Sequence, residues 1–211
     1  MAQGACALIR SMKAQNANLD LVSHTSIAYV RRAAAAATNK ILAEQHSYFY
    51  GVLASCGWDL IEPMEKLLES CKGLMETTMD RPVEEKLDHL LQRNPLLCLW
   101  SLPASPRVVY INPDSVVVAP TPLLLSLPGP VALPLFTHAR AIDLDTSVMS
   151  LQPSAEELVD MLDEASNYNL KTLHDIVNRH FRHTRYVLPS TYNVPSSLAE
   201  ADRGLWQRML H

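Results

Sequence analysis

Val108-Val109-Tyr110-Ile111, followed by Asn112-Pro113-Asp114-Ser115 and then Val116-Val117-Val118-Ala119, is the stretch on which the fold class turns. Two β-branched runs separated by a proline-initiated turn predict a β-hairpin. The hairpin lies in a region of distinct composition. Residues 94–153 hold ten of the fourteen prolines, and their only charges are Arg107, Asp114, Arg140, Asp143 and Asp145. Leu96 to Leu102, Leu123 to Leu127 and Val131 to Phe136 read as further strands. Each is flanked by proline, which favours short or edge strands. None alternates apolar with polar residues, so strands here are expected to be covered on both faces.

Working outward, the regions on either side read as helix. Ile27, Val30, Ala34, Ala37, Ile41, Tyr48, Val52 and Cys56 recur at helical steps, with Ser23 or Thr25 as cap and Gly57 as a left-handed stop. The run Ala33 to Ala37 is a strong helix former whose small side chains admit a neighbouring helix; packing within the chain is a simpler reading of it than a dimer seam. A second helix starts near Pro63 with the stripe Leu60, Met64, Leu67, Leu68, Cys71, Leu74 and Met75. A third starts at Asp80-Arg81-Pro82, carries Val83, Leu87, Leu90 and Leu91, and ends before Asn94-Pro95.

Beyond the middle, Ser154 and Glu157 form a capping box ahead of Leu158, Met161, Leu162 and Ala165. A following helix carries Leu170, Leu173, Val177 and Phe181. Residues 186–195, with Pro189 and Pro195, must be extended. A last helix begins at Ser196 or Ser197, with the stripe Leu198, Ala201, Leu205 and Met209 and with Trp206 beside it. The expected fold is therefore α+β: helix-rich N- and C-terminal parts packed on a small, proline-rich, mainly antiparallel β middle. The segments are 1–93, 94–153, 154–188 and 189–211, in one or two compact domains.

Charge and composition narrow the function. Of 211 residues, 48% are apolar and 19% charged, ordinary for a folded chain. The net charge of −4 and pI near 6.0 exclude a globally basic nucleic-acid binder. Cys6, Cys56, Cys71 and Cys98 show no zinc-type spacing and read as free buried thiols in a reducing compartment. No secretory signal or spanning segment is evident, and the apolar run Leu123 to Phe136 is broken by Pro128, Pro130 and Pro134. Cytoplasm or nucleus is the expected location.

The densest polar cluster runs from His174 to Arg185. On a continued helix, Lys171, Arg179, Arg182 and Arg185 share one broad face, suited to phosphates or to a carboxylate-rich partner. A solvated face whose cations complement the helix terminus, or pair with the preceding acidic helix, is the plainer reading. His174, His180 and His183 do not converge as metal ligands, and no metal or other cofactor is expected. Asp143 and Asp145, with His138, are the one conceivable catalytic grouping, but Arg140 offers an ordinary ion pair. No nucleophile elbow or phosphate-cradling glycine loop is present, so no catalytic residue is assigned.

A proline-punctuated linker leading to a capped amphipathic helix is a common docking arm, and Trp206 is a typical hot-spot residue. The expected function is a non-enzymatic structural or interaction protein, associating with itself or with another protein. The contact residues are Arg179, Arg182, Arg185, Leu198, Leu205, Trp206 and Met209. Nucleic-acid binding through the arginines is the weaker alternative, an enzyme with a dispersed site is the next, and no membrane is involved. In texture the chain resembles small virus-encoded structural or accessory proteins.

Overall fold

A computed structural model describes residues 2–16, 27–30, 48, 50–80, 82–102, 105–118, 120–121, 123–134 and 144–192. The chain divides into two compact units, residues 1–70 with 113–122, and residues 71–112 with 123–211. Both positions at which the sequence composition shifts, near 94 and 153, fall within the second unit. The α+β class holds: helices accompany a small mixed sheet.

The first unit contains α1 (Ala2–Gln15), β1 (Ile27–Val30), α2 (described over residues 50–55), β2 (Leu60–Pro63) and the start of α3 (Met64–Met79). Ile27 and Val30, expected on a helix, instead form a strand running parallel to β2, with Ile27 opposite Leu60. The rest of that expected helix up to residue 47, including the alanine run, lies outside the described residues. Gly57, at φ 99°, does stop α2 as its missing Cβ suggests. Pro63 ends β2 and so stands just before the α3 helix.

A disulfide joins Cys6 on α1 to Cys56 at the end of α2. Ile9 packs beside it, with Met12, Val52 and Trp58 around. The reading of four free thiols is thereby corrected, and the cysteine argument for a reducing compartment goes with it. Spacing could not reveal the pair, because the two cysteines are 50 residues apart and meet only when the helices pack. Cys71 and Cys98 are free and buried.

The expected hairpin at 108–119 does not form. Residues 113–122 belong to the first unit, where they run along α1. Ser11 Oγ accepts the Val117 N–H at 2.9 Å, and Asn16 Oδ1 accepts the Thr121 N–H at 3.0 Å. A helix surface thus takes the hydrogen bonds that a hairpin partner would have taken. The approach is close at Gly4, where a Cβ would lie 2.8 Å from the Pro113 carbonyl oxygen.

The second unit contains most of α3, then α4 (Glu85–Arg93), a 3-10 turn (Pro95–Ser101), β3 (Val108–Ile111), α5 (Leu123–Ser126), β4 (Val131–Pro134), β5 (Val148–Leu151), α6 (Ala155–Asn167), α7 (Leu173–His180), β6 (Tyr186–Leu188) and a 3-10 turn (Ser190–Tyr192). The sheet order is β3-β5-β4-β6. β5 is antiparallel to β3 and to β4, whereas β4 and β6 are parallel. Two expected strands are helical instead. Residues 96–102 lie mostly in the Pro95–Ser101 turn, and 123–127 mostly in α5. Proline at the first position sets φ for a helical turn, and leucine serves a buried helix as well as a strand.

Both faces of the central strands are buried, as the unbroken apolar runs imply. On one face Ala132, Val148 and Leu188 pack with Leu124 and Leu127 from α5 and its end, flanked by Val109, Ile111 and Tyr192. Ser150, fully buried, donates to the Leu124 carbonyl, so the polar side chain in the middle of β5 is satisfied. Successive strand residues face opposite ways, so Val131, Leu133, Met149 and Leu151 meet the other face, where each is fully buried. The helical part of the unit is centred on Trp100, stacked on Phe181 with ring centroids 5.9 Å apart. Leu158, Met161, Leu162 and Ala165 of α6 are all buried, and each of the larger three contributes about 1.5–3 kcal/mol.

Candidate functional site

The polar cluster of the sequence is built on α7 and the turn that follows it. α6 opens on Ser154, whose Oγ accepts the Glu157 N–H at 3.2 Å. α6 closes through Tyr168 and Asn169; Asn169 takes φ 54°, and the Leu170 N–H returns to the Ala165 carbonyl at 2.9 Å. This reversal delivers Thr172, which caps α7 by accepting the Asp175 N–H at 3.1 Å while donating to its carboxylate at 2.6 Å. The Thr172-x-x-Asp175 spacing carried that signal in the sequence, but the helix expected there included Leu170, which lies before the cap.

Glu157 and Glu164 stand two turns apart on α6 and both reach His180 of α7. His180 Nε2 lies 2.7 Å from Glu157 Oε2, and Nδ1 lies 3.1 Å from Glu164 Oε2. Each ring nitrogen thus faces a carboxylate oxygen from α6. The imidazole edge also rests against Phe181, centroids 4.7 Å apart, so the ion cluster adjoins the Trp100–Phe181 stack. Arg179 donates from Nε to Glu164 Oε1 at 2.8 Å and lies over the Tyr168 ring, 3.4 Å from its centroid.

Asn178 is a second hub. Its Oδ1 accepts from the Leu144 N–H at 3.2 Å and from Arg185 Nη1 at 2.8 Å. Its Nδ2 donates to the carbonyls of Leu144 at 2.9 Å and His174 at 3.1 Å. One amide side chain therefore satisfies both backbone groups of a fully buried residue. The neighbouring Asp145 carboxylate accepts from the N–H and hydroxyl of Ser147, at 2.8 and 2.6 Å, forming the turn into β5. The proposed pairing of Asp143 with Asp145 and His138 is not described, because Asp143 and His138 lie outside the described residues.

The arginines do not form the single helical face expected of them. α7 ends at His180 and residues 181–184 turn, so the 100° step no longer applies beyond it. Arg179 is engaged with Glu164 and Tyr168, Arg185 with Asn178, and Arg182 is exposed. The physical reason is local: Phe181 is drawn into the core beside Trp100, and the chain must turn there to begin β6. Leu198, Leu205, Trp206 and Met209 lie outside the described residues.

Among the described residues, no three His, Cys, Asp or Glu side chains are placed to hold a metal ion. The Cys98 thiol is pushed far above its ordinary value, first by its hydrogen bond with Cys71 and then by burial. Both thiols are fully buried, which shields them from reagents. Arg107 donates to the Gly129 carbonyl at 2.6 Å, and partial burial lowers its pKa from the ordinary value. No helix among the described residues is long and apolar enough to cross a membrane.

The pairing of α7 cations with the preceding acidic helix was an expected alternative and is found, through Glu157 and Glu164; the sequence reading passed over Tyr168 beneath Arg179 and Asn178 as a backbone bridge. The seven-residue spacing of the two glutamates was a usable sign of a shared helix face; nothing in the sequence marks Asn178. Tyr186 and Val187 of β6 were also unmarked, and they are among the large apolar side chains left exposed. Compared with known proteins, the chain matches no family, and no curated protein is similar to it in sequence.

Proposed function

We propose that the chain is a non-enzymatic assembly protein, associating with itself or a protein partner through exposed apolar surface and its C-terminal arm. One observation carries this reading. Among the described residues β6 stands at the edge of the sheet and leaves Tyr186 and Val187 43% and 47% exposed, a few residues before the chain passes to residues 193–211. A partly exposed aromatic and a β-branched residue on a strand edge are typical of a surface that another protein covers. The α7 polar groups support it indirectly: Arg179, His180 and Asn178 are engaged within the chain, which favours a scaffold role for them over contact with a substrate or phosphate.

The test is the solution mass of the full chain and of a chain ending at Asn193. That truncation keeps Tyr192, which packs on the α5 cluster. The expected result is a full-length mass above 23.5 kDa per particle, or a stable complex with a protein, that reverts on truncation. A full-length monomer that captures no protein partner overturns the reading. Co-purification of nucleic acid released by salt would favour the arginine alternative instead.

A further inference from the structure

We infer that the outer edge of β6 receives an extended, acidic segment of a partner protein, added to the sheet as a further strand. The inference rests on the assembly reading and names the chemistry of the partner. Among the described residues, β6 has a strand neighbour on one side only, β4. Nothing among the described residues pairs with the backbone N–H and C=O groups on its outer side, which suits them to a second main chain. Natural edges of this kind are commonly guarded by outward charges. Here the strand reads Tyr-Val-Leu, with Tyr186 and Val187 exposed and Leu188 anchored in the α5 cluster. Val187 faces away from the Leu188 side, so an added strand would find apolar surface on either face of the sheet. Pro189 closes the edge at its C-terminal end, limiting the site to a short segment.

Charge selects the partner. Residues 176–192 contain three arginines and neither aspartate nor glutamate. Arg179 is paired with Glu164, whereas Arg182 is exposed and Arg185 bonds the uncharged Asn178. Both flank the start of β6, and among the described residues neither has a carboxylate partner. A strand carrying carboxylates beside apolar residues would pair its main chain with β6 and place its acids near these guanidiniums. A nucleic acid could answer the charge but not the strand edge, which reads backbone amides.

Fluorescence anisotropy of the full chain tests this with a labelled eight-residue peptide alternating valine and glutamate. The controls are the same peptide interrupted by a central proline, one with lysine for glutamate, and an oligothymidylate of equal charge. The acidic strand peptide is expected to bind about tenfold more tightly than any control, since only it offers both main chain and charge. Arg182→Glu should weaken it about three- to tenfold, more at low salt than at high. Val187→Lys should weaken it similarly while leaving the thermal unfolding midpoint unchanged. Absence of binding, equal binding of the proline-broken peptide, or equal binding of the oligothymidylate overturns the inference. So does self-association through the same edge, seen as a light-scattering mass that Val187→Lys returns to the monomer. In that case the assembly reading survives and only the acidic partner falls; a chain that is monomeric and binds neither peptide nor protein loses both.

Discussion

Replacing Asn178 by alanine tests how the second unit is held together. Four hydrogen bonds leave with the amide, and their costs differ. Leu144 is fully buried, so its N–H and C=O lose their partner without gaining water. Each orphaned group costs about 1–3 kcal/mol. The His174 carbonyl stays within the α7 ladder, and Arg185 is exposed enough to regain water, so these two add little. The expected loss is about 2–5 kcal/mol, a large share of the roughly 5–15 kcal/mol of a typical domain. Asn178→Asp separates the parts. It keeps an acceptor for the Leu144 N–H and offers Arg185 a carboxylate, but it removes the donor to the Leu144 carbonyl. Its loss should fall between wild type and alanine. Chemical denaturation followed by hydrogen-exchange mass spectrometry reads both the stability and the peptide that contains Leu144. The Leu144 amide should lose protection in Asn178→Ala and keep it in Asn178→Asp. A loss below about 0.5 kcal/mol, the range of an ordinary surface substitution, or an aspartate variant no better than alanine, refutes the bridging role.

Three other outcomes are expected. His180→Ala should destabilise the second unit by about 1–2 kcal/mol, a figure reduced for the partial exposure of Glu157 and Glu164, and a double-mutant cycle with Glu157→Gln should show coupling of at least about 0.5 kcal/mol; additive losses would contradict the clamp. Thiol titration of air-oxidised protein should find none reactive when native, two after unfolding and four after unfolding with reductant; four without reductant would remove the Cys6–Cys56 bond. Where the bond is present, its loop of about 50 residues is worth about 4 kcal/mol by chain entropy, so reductant should destabilise the first unit by up to that much. Finally, alanine at two of the helical glycines should act with opposite sign: Gly73→Ala, with open space around it, gains about 0.5–1 kcal/mol, whereas Gly4→Ala meets the Pro113 carbonyl and loses about 1–3 kcal/mol. Thermal midpoints of the two variants shifting in the same direction would contradict the close approach at Gly4.

Legibility followed the range of the interaction that decides each feature. Ser154 announces α6 because its hydroxyl and the Glu157 N–H are three residues apart, and the buried stripe Leu158, Met161, Leu162 and Ala165 follows from one helical repeat. Gly57 and the stop before Asn94-Pro95 were readable for the same reason. The α7 polar cluster was half legible: its cations stand out in the sequence, but the carboxylates that engage them lie 15 to 23 residues earlier, on α6.

The sequence by itself determined the cap of α6 at Ser154, the stops at Gly57 and before Asn94-Pro95, that the class is α+β, and that the middle strands are buried on both faces. Only the tertiary structure decided what each apolar run pairs with. Val108–Ile111 joins β5, some 40 residues away, and the segment after it lies along α1, because Ser11 and Asn16 offer acceptors at the spacing its N–H groups require. Leu96 and Leu123 start runs that are apolar enough for either strand or helix, and the place each occupies beside Trp100 or Ala132 selects helix. Hydrophobic pattern records that a segment is buried; the partner that buries it is set by packing between residues far apart in the chain, which no local pattern encodes.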